Sequence, residues 1–332
     1  MNIVVTGGAG FIGSNFVAFL QNRFPDYKIV CIDCITYAGS LETLNHIGAF
    51  KHQEDGLFKL YIDNICDRDR IFNIFKTEKP DIVINIAAES HVTRSLTNPE
   101  LTFKTNVFGT QTLLDACVKY DVPIFHQVST DEVYGSNSWL SLETGGFTEE
   151  SLLNPSTPYS ASKASADLLV KAYTRTYNIH TTITRCSNNY GRYQHVEKLI
   201  PLTINNIIKG HKIEIHGNGK HMRDWIHVDD HCNAIWQAVQ NGEAGEIYNI
   251  SSGVEKTTFD IVKIICDRLN VNSSDYITYV DDRLGNDTRY KMDCTKANRD
   301  IAWQATKKFE DELINTIDWY INNKDWWSKL RY

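Results

Sequence analysis

Apolar and polar positions alternate along the first half of the chain in two rhythms. Residues 2–6, "NIVVT", are a short β-branched run, and "GFIGSNFVAFLQNRF" follows with apolar residues at helical spacing. The rhythm returns. "KIVCID" (28–33) predicts a second strand and "LFKLYI" (57–62) a third after a longer connection. "DRDRIFNIFKTEK" then reads as a helix and "DIVINIAA" (81–88) as a strand. A long amphipathic stretch over about 98–120 leads to "PIFHQVST" (123–130), and a helix over about 159–177 leads to "HTTITR" (180–185). Strands that are apolar nearly throughout, each separated by a helix, predict a parallel sheet covered on both faces. This is an α/β, doubly wound fold, whose ligands sit at the carboxyl ends of the strands.

Beyond about residue 186 the pattern loosens. "LIPLTINNIIKG" and "FDIVKIICDRLN" look helical, with short strands such as "KIEIHG" and "EIYNIS" between them. No Pro/Gly/Ser linker intervenes. The expected division is a sheet domain over 1–186 and a smaller lobe over 187–332 packed on it, with some segments returning to the sheet.

At 332 residues and 42% hydrophobic, the chain can bury a large core. A net charge of −7 carries no basic footprint, so no nucleic-acid partner is expected. No apolar run approaches the ~20 residues that cross a bilayer, and the start "MNIVVTGGAG" lacks a positively charged leader. A cytoplasmic protein without membrane contact is expected. Eight cysteines are scattered along the chain. Cys31 and Cys34 form a C-x-x-C without a second pair at zinc spacing, which reads as small buried hydrophobes in a reducing compartment.

Chemistry enters with "VVTGGAGFIGSNF". Gly7, Gly10 and Gly13 follow a strand and open a helix, which suits a tight turn and close approach of the backbone to a pyrophosphate. Asp33 ends the second strand, where a carboxylate accepts from ribose hydroxyls and repels a 2′-phosphate, favouring NAD over NADP. In "STPYSASKASADLLVKAY", Tyr159 and Lys163 lie one helical turn apart, with Ser156 or Thr157 as the cap and Pro158 in the first turn. A free tyrosine, with a pKa of about 10, is a poor base at neutral pH. A neighbouring ammonium is expected to lower that pKa. The run "QVSTDEVYG" ends a strand with Thr130, Asp131 and Glu132, two adjacent carboxylates whose like charge is expected to raise one pKa.

Together the glycine loop, Asp33, "NIAAESH" and Y-x-x-x-K resemble the extended short-chain dehydrogenase/reductase superfamily, over nearly the whole chain. Within it, "AAESHVTRSL", "STDEVYG", "TPYSASKAS", "RCSNNYGRYQHVEKLIPL", "MRDWIHVDDH" and "DDRLGNDTRY" resemble the nucleotide-sugar 4,6-dehydratases. The resemblance implies a Rossmann fold, bound NAD, a nucleotide-sugar substrate and a homodimer. It also implies roles. Tyr159, supported by Lys163, deprotonates the glucose 4-hydroxyl while C4 passes hydride to NAD, and Thr130 bonds the 4-oxygen. Glu132 then takes the C5 proton, Asp131 protonates the departing 6-hydroxyl, and the hydride returns to C6. The 4-keto-6-deoxy sugar so formed feeds deoxysugar synthesis of the rhamnose type.

Carried over residue by residue, Phe11 and Ile12 in the glycine loop, Thr36, Ala87, Ala88, Thr105 and Asn189 match cofactor-contacting positions. Asn64 and Ile65 stand where the family has Asp-Ile for the adenine. Ser90, Asn188, Lys198, Leu199, His216 and Arg223 match positions that hold the sugar nucleotide. Thr93, His216 and Thr258 replace the usual Asp, Tyr and Asn, so the resemblance leaves dTDP- and UDP-glucose both open. His221, His227 and His231 lie in "HMRDWIHVDDH", a segment that matches the family's R-D-W-x-x-V-x-D pattern, and no metal is expected. Trp303, Trp319, Trp326 and Trp327 read as packing or the edge of a subunit contact. Two other readings are a 4-epimerase or decarboxylase of the same superfamily, and a silent NAD(H)-binding regulator. The acidic pair argues against the first and the intact Tyr159 and Lys163 against the second.

Overall fold

The computed structural model describes residues 1–136 and 146–330. Strands β1 (Asn2–Thr6), β2 (Lys28–Ile32), β3 (Phe58–Tyr61), β4 (Ile82–Asn85), β5 (Ile124–Thr130) and β6 (His180–Cys186) form one sheet, each pair parallel. The C-terminal half adds β7 (Asn188–Tyr190), β8 (Ile213–His216), β9 (Met222–His227), β10 (Glu246–Ile250), β11 (Glu255–Thr257) and β12 (Ile277–Val280). Of these, β10 returns to the main sheet beside β6, giving seven strands in the order β10-β6-β5-β4-β1-β2-β3.

The period of two explains the layers. Ile3 and Val5 of β1 point into one apolar cluster with Phe16, Leu20 and Trp236, while Val4 between them points into another with Ile71, Phe75 and Leu113. Helices therefore cover both faces. Burying each such side chain contributes about 1.5–3 kcal/mol, and a one-residue slip would turn both sets the wrong way. The chain order reverses between β1 and β4, the place where such sheets open a crevice. There the carboxyl ends are joined through side chains. Thr6 Oγ1 donates to Asn85 Oδ1 at 2.6 Å, and Asn85 Nδ2 donates to Gln127 Oε1 at 2.8 Å, all three buried.

The amphipathic stretch over 98–120 is not one regular helix. Pro99–Phe103, capped by Asn98, runs into a wider π turn at Lys104–Gly109 and then into Thr110–Lys119. A side-chain clasp accompanies the irregularity. Asn106 Oδ1 accepts from the Glu89 amide at 2.8 Å, and Nδ2 donates to the Glu89 carbonyl at 3.0 Å and to Ser162 Oγ at 2.9 Å. Wide turns of this kind favour functional sites, and this one borders the crevice.

The lobe has a three-stranded unit, β11-β9-β7, and a β12-β8 pair, over a core of Tyr190, Ile200, Ile204, Trp225 and Ile261. Trp326 and Trp327 are buried in that core with Trp319 packed against it, and Trp303 is buried in a cluster with Ile226 and Tyr248, so all four tryptophans serve packing. Trp326 Nε1 also donates to Thr43 Oγ1 at 3.1 Å, tying the C-terminal segment to the N-terminal half. Among the described residues no helix is long and apolar enough to cross a membrane.

Candidate active site

The glycine loop is shaped by what it must avoid. Gly7 has φ +68, and a Cβ there would lie 2.7 Å from the Ala87 amide nitrogen; at Gly13 it would lie 2.1 Å from the Gly7 carbonyl oxygen. No other residue fits either place, and the loop delivers the N-terminus of helix Phe11–Arg23 to the crevice. Asp33, at the end of β2, accepts from the Ala9 amide at 2.9 Å and the Ile35 amide at 2.8 Å, one oxygen each. Burial raises its pKa, and these two amides oppose the rise.

One continuous cleft starts there. Gly7, Gly10, Phe11, Ile12, Gly13, Asp33 and Thr36 line one end, with Asn64, Ile65, Ala87, Ala88 and Thr105 along its side. Thr130, Asp131, Glu132, Tyr159 and Lys163 line the same cleft, as do Ser90, Asn188, Asn189 and Lys198. Every residue expected to contact a dinucleotide thus borders one space. Asn64 Oδ1 accepts from the Cys66 amide at 2.8 Å, and Asn189 is engaged within the protein, donating to the Ser187 carbonyl at 3.0 Å and bonded to His231 Nδ1 at 2.9 Å.

β5 ends at Thr130 and turns at once into the tight helical turn Asp131–Tyr134. Thr130 Oγ1 accepts from the Glu132 amide at 3.3 Å and donates to Asp131 Oδ1 at 3.1 Å, leaving Asp131 Oδ2 buried without a partner. Asp131 is 2% exposed and Glu132 is half-buried, so the pair is not freely solvated at a strand mouth. Its pKa is pushed well up, first by burial and second by the charge of Glu132. Like charge was the expected cause; burial is the larger one. Glu132 is also raised by burial, while the Arg223 and Lys198 charges pull it down. The pair is therefore unequal, with Asp131 the carboxyl that holds its proton to higher pH.

Tyr159 and Lys163 lie on helix Pro158–Tyr177, which starts at a capping box made by Thr157 and Ser160; Ser156 bonds Asp287 instead, at 2.7 Å. Lys163 Nζ donates to the Val128 carbonyl at 2.7 Å. The expectation that Lys163 lowers the Tyr159 pKa is corrected here. Burial, first, and then the proximity of the acidic groups of Glu132, Cys186 and Asp131 push the phenol well up, opposed by hydrogen bonding with Thr130. The Lys163 ammonium is itself disfavoured by burial and supported by Asp167.

Three expected sugar-nucleotide residues stand outside this cleft. Leu199 opens helix Leu199–Ile208 and packs on the lobe core. His216 ends β8, with Nδ1 3.1 Å from the Asp281 carbonyl. Arg223 sits over the Tyr290 ring at 4.7 Å and donates to Asn286 Oδ1 at 3.1 Å, yet its charge reaches both Asp131 and Glu132. Sequence reasoning missed Glu89, His195 and Glu197, which line the cleft, and Arg283, whose charge acts on Glu132. Glu197 and Arg283 lie inside quoted motifs, beside Lys198 and in "DDRLGNDTRY", so their proximity to marked residues was the available signal. Among the described residues no group of three or more metal-ligating side chains is assembled.

A family model described as GDP-mannose 4,6 dehydratase matches residues 4–316. The chain belongs to that family. For this chain of the GDP-mannose 4,6 dehydratase family, curated relatives match end to end. A dTDP-glucose 4,6-dehydratase of Escherichia coli is 43% identical over 99% of this chain and 96% of its own length. One from Haemophilus influenzae is 41% identical over 97% and 98%. Among solved structures, the dTDP-glucose 4,6-dehydratase DesIV of Streptomyces venezuelae, crystallised with NAD and a dTDP ligand, is 40% identical. It superposes with a TM-score of 0.92 over the whole of both chains. A UDP-glucose 4-epimerase of Thermotoga maritima is 28% identical with a TM-score of 0.88, covering 98% of this chain and all of the epimerase.

Proposed function

We propose that this protein is an NAD-dependent hydro-lyase that converts dTDP-glucose to its 4-keto-6-deoxy derivative, a step of rhamnose-type deoxysugar synthesis. One observation carries the reading: an unequal carboxyl pair, Asp131 buried and bonded to Thr130 and Glu132 half-buried beside it, in the cleft that also holds Tyr159. Oxidation at one carbon needs no such pair; elimination of water needs an acid and a base together. Full-length identity of 40–43% to dTDP-glucose 4,6-dehydratases supports the substrate, while UDP-glucose is an arm of the test.

The glycine cradle, which a Cβ would fill, the Phe11–Arg23 helix end and Asp33 fit a dinucleotide. When bound, NAD supplies the acceptor and later the donor of the hydride that travels from C4 to C6. The remaining work belongs to the chain. Thr130 holds the 4-oxygen, and Tyr159, once ionised against the burial that raises its pKa, takes its proton, with Lys163, whose charge Asp167 supports, one turn away. The 4-keto group acidifies C5, where Glu132 removes the proton. Asp131, kept protonated by burial, protonates the departing 6-hydroxyl. Arg223 and Lys198 offset the charge of Glu132 and are assigned to the diphosphate, with Ser90, Asn188, Leu199 and His216 around the rest of the sugar nucleotide.

The domain division belongs to the same reading: residues 1–186 bind the cofactor, and 187–332 mainly the substrate. A homodimer is supported by Phe108 and Leu168, large apolar side chains left exposed on two helical segments that the Asn106–Ser162 bond holds together. A cytoplasmic location is supported by eight cysteines that are all free.

The test is an endpoint mass measurement with dTDP-glucose and UDP-glucose offered separately. Loss of one water from dTDP-glucose, with no net reduced nicotinamide, is the expected result. Conversion to the galactose epimer without mass change would move the protein to the epimerases.

A further inference from the structure

Beneath the cleft runs a buried polar chain to which the reading above gives no role. Tyr134, the last residue of the turn that carries Asp131 and Glu132, donates its hydroxyl to Asn249 Oδ1 at 2.7 Å. The Tyr134 hydroxyl oxygen in turn accepts from Arg185 Nη1 at 2.9 Å, and the guanidinium lies 4.8 Å from the centre of the tyrosine ring. Arg185 Nε donates to Asp167 Oδ2, also at 2.9 Å. Asp167 is one turn beyond Lys163 on the helix that carries Tyr159, and its other oxygen is buried without a hydrogen bond. All four residues are at most 2% exposed.

The placement follows from register. Arg185 of β6 sits between Ser129 of β5 and Asn249 of β10, so its side chain is fixed in the middle of the sheet. A buried ion pair gives little net stability over apolar side chains of the same size, because desolvation offsets the attraction. What it gives is orientation, since each donor accepts only one arrangement of its partners. Here the two ends of the chain are the two halves of the reactive site.

We propose that Tyr134, Arg185 and Asp167 are positioning residues that fix the acid–base turn against the tyrosine–lysine helix, so that C4 oxidation and 5,6-elimination proceed from one substrate pose. The proposal rests on the dehydratase reading. The phenol end sets where Asp131 and Glu132 stand, and the carboxylate end places a counter-charge beside Lys163. Loss of either end therefore harms a different half-reaction.

The experiment compares wild type, Tyr134→Phe and Asp167→Asn with NAD and dTDP-glucose, following water loss, KM, reduced nicotinamide absorbance and the thermal midpoint of each protein. Tyr134→Phe keeps the ring and removes the oxygen. It is expected to lower kcat by about tenfold to a hundredfold, the size of an ångström-scale misplacement, with KM nearly unchanged and reduced nicotinamide building up. Asp167→Asn keeps the shape and removes the charge. It is expected to slow oxidation itself, with a similar fall in kcat and no build-up. Variants that melt earlier but match wild type in kcat and nicotinamide state would make the chain purely structural and overturn the proposal. Should one variant not fold, the other decides by its own signature. A wild type that removes no water from the substrate would instead sink the dehydratase reading.

Discussion

Lys163 donates its ammonium to the Val128 carbonyl at 2.7 Å, two residues before the hydroxyl of Thr130 on the same strand. The tyrosine–lysine helix is thereby fastened to the strand that ends in the acid pair. The lysine has at least two tasks, holding the helix and supplying charge, and burial disfavours the charge. Lys163→Met should therefore lose both. We expect kcat to fall by about a hundredfold or more, and Tyr159→Phe to abolish turnover, since general acid–base catalysis contributes on the order of 10²–10⁴. Steady-state rates with dTDP-glucose measure this; a Tyr159→Phe enzyme near wild-type rate would remove the tyrosine from its role.

Glu132→Gln and Asp131→Asn should separate the half-reactions. With Tyr159 and Lys163 intact, both variants should still oxidise C4 and accumulate reduced nicotinamide. Glu132→Gln should abolish exchange of the C5 hydrogen with deuterated solvent, whereas Asp131→Asn should retain it and lose water elimination. Deuterium incorporation read by mass spectrometry distinguishes the two, and full dehydration by Glu132→Gln contradicts its assignment as base.

Gly13→Ala tests the cradle. The added methyl meets the Gly7 carbonyl oxygen at 2.1 Å, so the loop must shift away from the position that admits a pyrophosphate. Affinity for NAD, measured by titration calorimetry, should fall at least tenfold, and the melting temperature should fall with it. Unchanged affinity would mean that the loop does not hold the pyrophosphate.

Asp224 supplies a pH test. It accepts from Ser187 Oγ at 3.0 Å and the Ser252 amide at 3.1 Å, while burial raises its pKa to about 6. An unfolded aspartate titrates near pH ~4, so the folded protein binds more protons between about pH 4 and 6. The stability this group contributes is complete below about pH 4 and is lost as pH rises through about 6, a difference on the order of 3 kcal/mol. Melting temperatures across pH 4–7 should show that decline in wild type and a flatter profile in Asp224→Asn. Parallel profiles would rule the group out.

The fold was legible because β1 to β6 alternate with helices in short apolar runs, a signal that needs no knowledge of contacts. The amphipathic stretch over 98–120 gave no sign of the π turn within it, where Asn106 bonds Glu89 and Ser162, residues outside the stretch. Every expected cofactor position borders the cleft, whereas Leu199, His216 and Arg223, marked by the same motif reading, stand outside it. The electrostatics were not legible. That burial outweighs like charge at Asp131, and raises the Tyr159 pKa, depends on how deeply the chain encloses them. The Tyr134–Arg185–Asp167 chain was equally hidden, since its members come from three separate segments and no spacing links them.

The hydrogen bonds from Thr6 through Asn85 to Gln127 act as a gauge across the crevice. Each amide or hydroxyl finds its mate at a single offset between neighbouring strands. Any sliding of β1 against β4 or β5 would strand buried polar atoms, whose desolvation costs about 1–3 kcal/mol apiece. The glycine loop leaves from β1 and the acid pair from β5. The span from the glycine loop to Asp131 and Glu132 is thus a length set inside the sheet, which substitutions on the surface leave untouched.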